Sequence, residues 1–403
     1  MKHSTVIDIG SSKVSCMTAG TAADGALVVR GVETRPYRGY RLGGLPEVSA
    51  LGAALDSALT KLHSVTGLRP RTVCVGVPAP FVRTVITACE VDVASRSGRV
   101  TDDDIDYLFD CAQELPVPEG FILMHSTPFD YRLDGLVCDG SPVGRSARKL
   151  SASFASALAD ERFTSVVTAA LAPMNVTVGS FISGEMACAA YTIPFSARLS
   201  GAIMIDCGGT HCDVSAIRGN ALIRTESIGI GGSHFTSDVA LGLRLPMTVA
   251  DELKRRYVFG LDYGSSTELV RIPSEGVFAI EHSTVQMIIE ARADELSSYI
   301  CEALDSLESE LPAGSPVYMV GGVASMRGAV EYLSRATGRK IVLNMPENGR
   351  YNTVNYAPVL ALAQFMLYGE GANAAYARQS GVVSRGGRMM DTIKDFFIAG
   401  NKR

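Results

Sequence analysis

The chain has 403 residues, 47% of them hydrophobic, and a formal net charge of -5. That length exceeds one ordinary core and predicts at least two domains, and the acidic balance argues against a general nucleic-acid binder, because a phosphate backbone selects basic surfaces. Nine scattered cysteines without a Cys-x-x-Cys pair predict a reducing cytoplasm rather than a disulfide framework; the first strand starts too early to leave room for a signal peptide, and no segment approaches the ~20 apolar residues of a spanning helix.

The opening segment, Val6-Ile7-Asp8-Ile9-Gly10-Ser11-Ser12-Lys13, reads as a short apolar strand carrying an Asp, then a Gly-rich corner. A second strand, Val14 to Thr18, a turn at Asp24-Gly25 and a third strand, Leu27 to Gly31, follow. Glu47 to His63 places Val48, Leu51, Leu55, Leu59 and Leu62 on one side of a helix that ends before Gly67. A buried strand, Thr72 to Val77, stops at Pro78. Residues 84–162 read as an inserted subdomain: a helix capped by Thr101 with Asp102, Asp103 and Asp104 at its positive end, strands Phe121 to Ser126 and Lys149 to Ala157, and the start of a helix from Asp160 to Leu171. A strand, Val176 to Ile182, and a short helix, Glu185 to Tyr191, come next.

The opening unit then returns. Met204-Ile205-Asp206-Cys207-Gly208-Gly209-Thr210 repeats the strand, the Asp and the Gly-rich corner, and strands Asp213 to Ile217 and Leu222 to Ile228 complete it. Helices over Ser233 to Gly242, Thr248 to Phe259 and Ser283 to Leu307 follow; a last buried strand, Pro316 to Val320, runs into Gly321-Gly322, expected to open a helix. The helix Pro358 to Tyr368 closes the globular part. Residues 369–387, rich in Gly, Ala, Ser and Arg, read as a flexible linker, and 388–403 as a short apolar helix.

Two acidic corners of one design predict the jaws of a phosphate clamp. Glycine lets backbone N–H groups approach a phosphate chain closely, and Gly10, Gly208 and Gly209 stand at the corners, with hydroxyls on Ser11, Ser12 and Thr210 and a positive charge on Lys13. Asp8 and Asp206 would hold Mg through its waters, since Mg keeps several waters and takes few carboxylates. Gly321, Gly322 and Ser325 would let adenine and ribose lie against backbone at a helix start. Gly231 and Gly232, in Gly229-Ile230-Gly231-Gly232, read equally as strand terminator or nucleotide floor. Cys207, His211 and Cys212 lack a fourth ligand for a metal site of their own.

The order of the Asp8 corner, the Asp206 corner and the Gly321-Gly322 turn resembles the actin, DnaK and sugar-kinase superfamily. Within it, Ile7 to Val14, Asn220-Ala221-Leu222, Ile228 to Ala240, Ile288 to Arg292 and the terminal helix resemble the FtsA family of bacterial cell-division proteins, over nearly the whole chain. The resemblance implies an α/β, actin-like ATPase fold with two lobes of duplicated sheet core flanking a nucleotide cleft. The first core would be 1–83, completed by 163–195 and about 344–368; the second 196–231 and 305–343, with 232–304 as its outer subdomain; and 84–162 an insertion peculiar to the family.

The same resemblance implies ATP and Mg as ligands and at most weak ATPase activity, with Glu185 and Asp206 positioning Mg or the attacking water. A helix-start Glu favoured by the dipole is an equal reading of Glu185. It further implies a polymerising adaptor on the cytoplasmic face of the cell membrane at the division site. Its partners would be the FtsZ C-terminal tail, copies of itself, membrane lipids and later division proteins, with no nucleic acid. Met389, Met390, Ile393, Phe396 and Phe397, flanked by Arg385, Arg388, Lys394, Lys402 and Arg403, suit an anionic bilayer surface. Arg292 reads either as an FtsZ contact or as an ordinary solvated helix residue. One departure bears on turnover: the family usually has Asp-Ile-Gly-Gly-Gly-Thr where this chain has Asp206-Cys207-Gly208-Gly209-Thr210-His211. A PilM-like pilus adaptor and a small-molecule kinase are the alternative readings on the same fold, and no sugar or acyl pocket motif supports the kinase.

Overall fold

In the opening strand β1 (His3–Ile9) alternate residues face opposite sides. Ile7 and Ile9 pack into one core, while Val6 packs into another. A strand buried on both faces belongs inside a sheet covered on both sides. β2 (Lys13–Thr21) and β3 (Leu27–Pro36) continue the sheet antiparallel, and β4 (Thr72–Val77) joins β1 in parallel after helix α1 (Val48–Thr66). The computed structural model describes residues 3–367 apart from 24–25, 115, 139–140, 273–275, 346–350 and 352. The expected turn at Asp24-Gly25, the linker and the helix carrying Met389, Met390, Ile393, Phe396 and Phe397 therefore lie outside the described residues.

A four-stranded antiparallel sheet then interrupts the lobe, formed by β5 (Val82–Asp92), β6 (Phe121–Leu133), β7 (Leu136–Val137) and β8 (Lys149–Asp160) in the order β5-β8-β6-β7. Helix α2 (Asp102–Gln113) covers one face and starts with a capping box. Thr101 Oγ1 accepts from the Asp104 backbone N–H at 3.3 Å, and Asp104 Oδ2 accepts from the Thr101 N–H at 2.8 Å. Ile105, Leu108, Phe109 and Ala112 bury against Phe154, Leu150 and Val91, so the insertion has its own core. The chain returns through α3 (Glu161–Leu171) to β9 (Thr177–Ser183), which completes the first sheet as β3-β2-β1-β4-β9.

Helices α4 (Gly184–Thr192) and α5 (Phe195–Ser200) carry the chain to a second sheet of the same plan. It consists of β10 (Ala202–Cys207), β11 (Cys212–Arg218), β12 (Ala221–Ile228), later joined by β15 (Val317–Val320) and β16 (Ile341–Val342), in the order β12-β11-β10-β15-β16. Between β12 and β15 lie α6 (Gly232–Leu243), α7 (Met247–Arg256), the hairpin β13 (Thr267–Ile272) and β14 (Gly276–Glu281), and the long helix α8 (His282–Leu307). Helix α9 (Ala329–Thr337) and a last helix, α10, over 357–367 complete the description.

Two local expectations are corrected. Helix α7 ends at Arg256, not Phe259, because Tyr257 takes an extended conformation, φ -60° and ψ 141°. Its ring packs on those of Phe259 and Tyr263, with centroids 5.0 and 5.6 Å away, which draws the chain off the helix axis. Gly321-Gly322 opens only a 3-10 turn, Gly322–Ser325, and the helix begins at Ala329.

What places the two acidic corners opposite each other is the layer between the sheets. One core holds Val6, Met17 and Cys74 of the first sheet, Met204, Ile217 and Val320 of the second, and α4 and α10 between them. Burying Leu360, Leu362 and Phe365 of α10 in this layer stabilises it by about 1.5–3 kcal/mol each. Gly76 permits the close approach, since a Cβ there would stand 2.6 Å from Leu362 Cδ1.

Candidate functional site

Both corners are hairpin tips of one geometry. In the first, Gly10 N–H donates to the Lys13 carbonyl at 2.9 Å; in the second, Gly208 N–H donates to the His211 carbonyl at 3.0 Å. Asp8 lies opposite Ser15 across the first hairpin, and Asp206 opposite Asp213 across the second. The tips face each other over a cavity of about 770 Å³. Of the expected site residues, Asp8, Gly10, Ser11, Ser12, Lys13, Glu185, Asp206, Gly208, Gly209, Gly232, Gly321, Gly322 and Ser325 line it. Three do not.

Thr210 is turned away. Its hydroxyl donates to the Tyr40 carbonyl at 3.1 Å, and its backbone N–H donates to Ser11 Oγ at 3.1 Å, so the lobes touch at this point. Gly231 lies under the second tip, where its packing leaves no room for a side chain: a Cβ would stand 2.7 Å from the Gly209 carbonyl carbon. Arg292 is on α8, beside a separate hollow that it lines with Glu226, Tyr299 and Glu302. Its guanidinium grips Asp238 through Nε (2.5 Å) and Nη2 (3.0 Å) and also reaches Glu295. It is an ion-paired residue.

The electrostatics of the cleft are dominated by buried carboxylates. Asp8 is pushed up to about 6 by burial, against the pull of Lys13. Burial, then the neighbouring Asp213 and Asp8, push Asp206 up to about 7, and burial does the same to Asp213. Glu185, at the start of α4, is held well above the carboxylate range by burial and by Asp206, Asp213 and Asp8. Its Oε2 is buried without a hydrogen-bond partner. Four buried acids crowd here, and Lys13 is the lysine whose charge acts on Asp8 and Asp206.

That donor set fits a divalent cation. It is all oxygen, which suits a hard ion such as Mg. Among the described residues no three His, Cys, Asp or Glu side chains close into a ready-made metal cage, so an ion here would have to take water or phosphate oxygens as well. Gly321 guards the geometry: its φ of +89° and a Cβ position that would overlap Asp206 Oδ1 reserve this place for glycine.

Sequence reading missed several lining residues. Asp213 accepts from Ser227 Oγ at 2.5 Å and faces His211 Nε2 at 3.3 Å. The signal was present, since Asp206 and Asp213 stand symmetrically about the tip and must share a face. Lys254, on the inner side of α7 among buried Val249, Ala250 and Leu253, donates to Thr236 Oγ1 (2.7 Å), Asp251 Oδ1 (2.6 Å) and the Gly232 carbonyl (3.1 Å). A lysine on a helix's apolar face marks such a site. Tyr40, buried with an unpartnered hydroxyl, comes from a loop with no periodicity to flag it. Thus α7, with Met247, Thr248, Asp251 and Arg255, walls the cleft together with Gly321, Gly322 and Ser325.

Comparison with known proteins agrees with this architecture. A family model described as cell division protein FtsA matches residues 203–361, and one described as the SHS2 domain inserted in FtsA matches residues 82–156. The cell division protein FtsA of Pseudomonas aeruginosa is 26% identical over 346 residues, 84% of this chain and 82% of its own. That of Bacillus subtilis is 21% identical, over 89% and 82%. Among solved structures, a PilM-PilN type IV pilus biogenesis complex superposes with a TM-score of 0.61 at 15% identity, covering 89% of this chain and 97% of its own. MreB5 of Spiroplasma citri bound to ADP gives 0.52 at 12%, covering 95% and 99%. These likenesses establish an actin-like ATPase fold carrying the inserted domain.

Proposed function

This chain belongs to the FtsA family of cell division proteins, and from that premise we propose that it is an ATP-binding adaptor which assembles on the cytoplasmic face of the cell membrane and tethers FtsZ filaments there. The observation that carries the reading is the convergence of two acidic hairpins, with Glu185 between them, on one cleft. A magnesium ion, when bound, would neutralise the phosphate oxygens and relieve the crowded carboxylates. Asp8 and Asp206 would hold it through water. Lys13 and the tip amides of Gly10, Gly208 and Gly209 would bind the phosphates, as backbone N–H groups in a tight turn favour anions. The wall of α7 and the Gly321 turn would hold the nucleoside. Glu185, buried and facing the carboxylates, would orient water.

Nucleotide bound across the tips would fix the lobes relative to each other, and a fixed shape is what copies need in order to stack. Attachment to the membrane falls to the terminal segment with Met389, Met390, Ile393, Phe396 and Phe397. Its Asp391 and Asp395 offset part of the basic charge, so apolar burial supplies most of the binding and a single copy holds weakly. A polymer multiplies it. Among the described residues no helix is long and apolar enough to cross a membrane. The likeness to the pilus complex is one of fold and carries no partner to this chain.

The test is co-sedimentation with anionic liposomes in the presence of ATP and FtsZ, comparing the full chain with one ending before Arg385. Only the full chain is expected to carry FtsZ down; equal sedimentation of both would remove the tail from the reading. Absence of ATP uptake by calorimetry would remove the nucleotide.

A further inference from the structure

Cys207 and Cys212 close the base of the second hairpin, directly opposite each other in register. The bond from Gly208 N–H to the His211 carbonyl makes that neighbouring couple the hydrogen-bonded one. Cys207 and Cys212 are therefore a non-hydrogen-bonded couple, the kind whose Cα atoms approach to about 4.5 Å with side chains closest. A disulfide spans Cα separations of about 4.4–6.8 Å, so the backbone already meets its requirement, at the tight end. Being paired in register, the two side chains share one face of the hairpin. They point away from Asp206 and Asp213, into the core with Ile205, Val214 and Phe235, and both have 0% exposure. No other cysteines stand in register across a strand pair among the described residues.

We propose that Cys207 and Cys212 form an oxidisable dithiol, and that their linkage by a hydroperoxide weakens nucleotide binding at the hairpin they close. One thiol is oxidised to a sulfenic acid by hydrogen peroxide, which is reduced to water. The second sulfur attacks the first, the S–S bond forms and the sulfenic oxygen leaves as a second water. Two thiols thus lose two electrons and two protons to one peroxide. A thiol reduces the bond again by exchange.

The consequence for the cleft follows from packing. The tip above the cysteines is clamped on three sides. Gly232 N–H donates to the Gly208 carbonyl at 2.9 Å, Ser233 N–H to the Gly209 carbonyl at 2.7 Å, and a Cβ on Gly209 would already stand 2.7 Å from Ser12 Oγ. A cross-link that spreads the strands from this tight spacing toward the usual disulfide separation of about 5.5–6 Å shifts Gly208 and Gly209 above it, because packed interiors transmit strain. Access sets the timing. With both sulfurs fully buried, reaction needs the hairpin to open. Nucleotide pins the tips and slows it.

The effect on binding rests on the ATP reading; the linkage does not. The full chain is treated with hydrogen peroxide with and without Mg-ATP, alkylated and digested with trypsin. The fragment from Leu199 to Arg218 holds both cysteines. It is expected to be unalkylated and lighter by two hydrogens, more slowly with Mg-ATP and reversibly with dithiothreitol. Affinity for a fluorescent ATP analogue is expected to fall about tenfold on oxidation, and to hold in Cys207→Ala and Cys212→Ala, which leave the tip intact. Retention of alkylation at both sites while other cysteines, such as Cys89 and Cys111, are consumed would overturn the dithiol. A linked fragment with unchanged affinity would overturn its control of the cleft. A reduced chain that binds no analogue would instead overturn the ATP reading, leaving the mass of the fragment to decide the linkage.

Discussion

The two hairpins share a backbone and divide the charge. In the first, Asp8 faces Ser15 and the tip ends in Lys13; in the second, Asp206 faces Asp213 and the tip ends in His211, whose imidazole burial holds below its usual range. One jaw is therefore balanced between an acid and a cation, and the other carries two acids. Their supports differ as well. Tyr37 braces the first tip, its hydroxyl donating to the Gly10 carbonyl at 3.0 Å and its N–H to Ser12 at 3.1 Å. The start of α6 braces the second. The two hairpins thus keep one scaffold, while single side chains at equivalent places give one tip a balanced charge and the other a pair of acids.

The strongest way to break this division is at the acids. Asp206→Ala is expected to weaken Mg-dependent ATP binding about a hundredfold, equivalent to ~2.8 kcal/mol, with Asp8→Ala close behind. In excess chelator the difference between either variant and the native chain should vanish when measured by calorimetry. If the loss persists without metal, the two acids do not act through a cation.

The braces come next. Neither Gly39 nor Gly231 has a positive φ, so packing alone forbids a side chain. A methyl on Gly39 would overlap the Ser11 carbonyl, while one on Gly231 would stand 2.7 Å from the Gly209 carbonyl carbon. Each alanine variant should lose about 1–3 kcal/mol of unfolding free energy in denaturant titration, Gly39→Ala the more. Equal losses would mean that the two supports are interchangeable.

The last residues of the two tips sharpen the contrast. Lys13→Gln should lower nucleotide affinity about tenfold, the cost of one charge-assisted hydrogen bond. His211→Thr, which restores the residue usual in the family, should leave affinity within about twofold while raising single-turnover hydrolysis. The smallest effect is expected from Thr210→Val. It removes the hydroxyl bond to Tyr40 across the lobes and should cost about 1 kcal/mol of stability, with faster hydrogen exchange in residues 37–46 as its signature.

Much of this molecule is legible in its residue order. The repeated Asp and Gly corner, the switch between strand and helix periodicity, and Thr101 followed by Asp104 are local signals, and local backbone physics acts on them directly. The duplicated sheets and the residues of both acidic tips followed from those signals. Tertiary structure alone decided the rest. Whether Thr210 faces the phosphates or Tyr40 depends on a loop 170 residues away in sequence, and no periodicity encodes that choice. Arg292 is paired because Asp238, 54 residues earlier, lies across the helix contact. The anomalous acidity of Asp8, Asp206 and Glu185 arises only when burial strips their water and brings their charges together. Sequence sets which groups the chain carries and its local geometry; distance and dielectric, which set how those groups interact, exist only once the chain is packed.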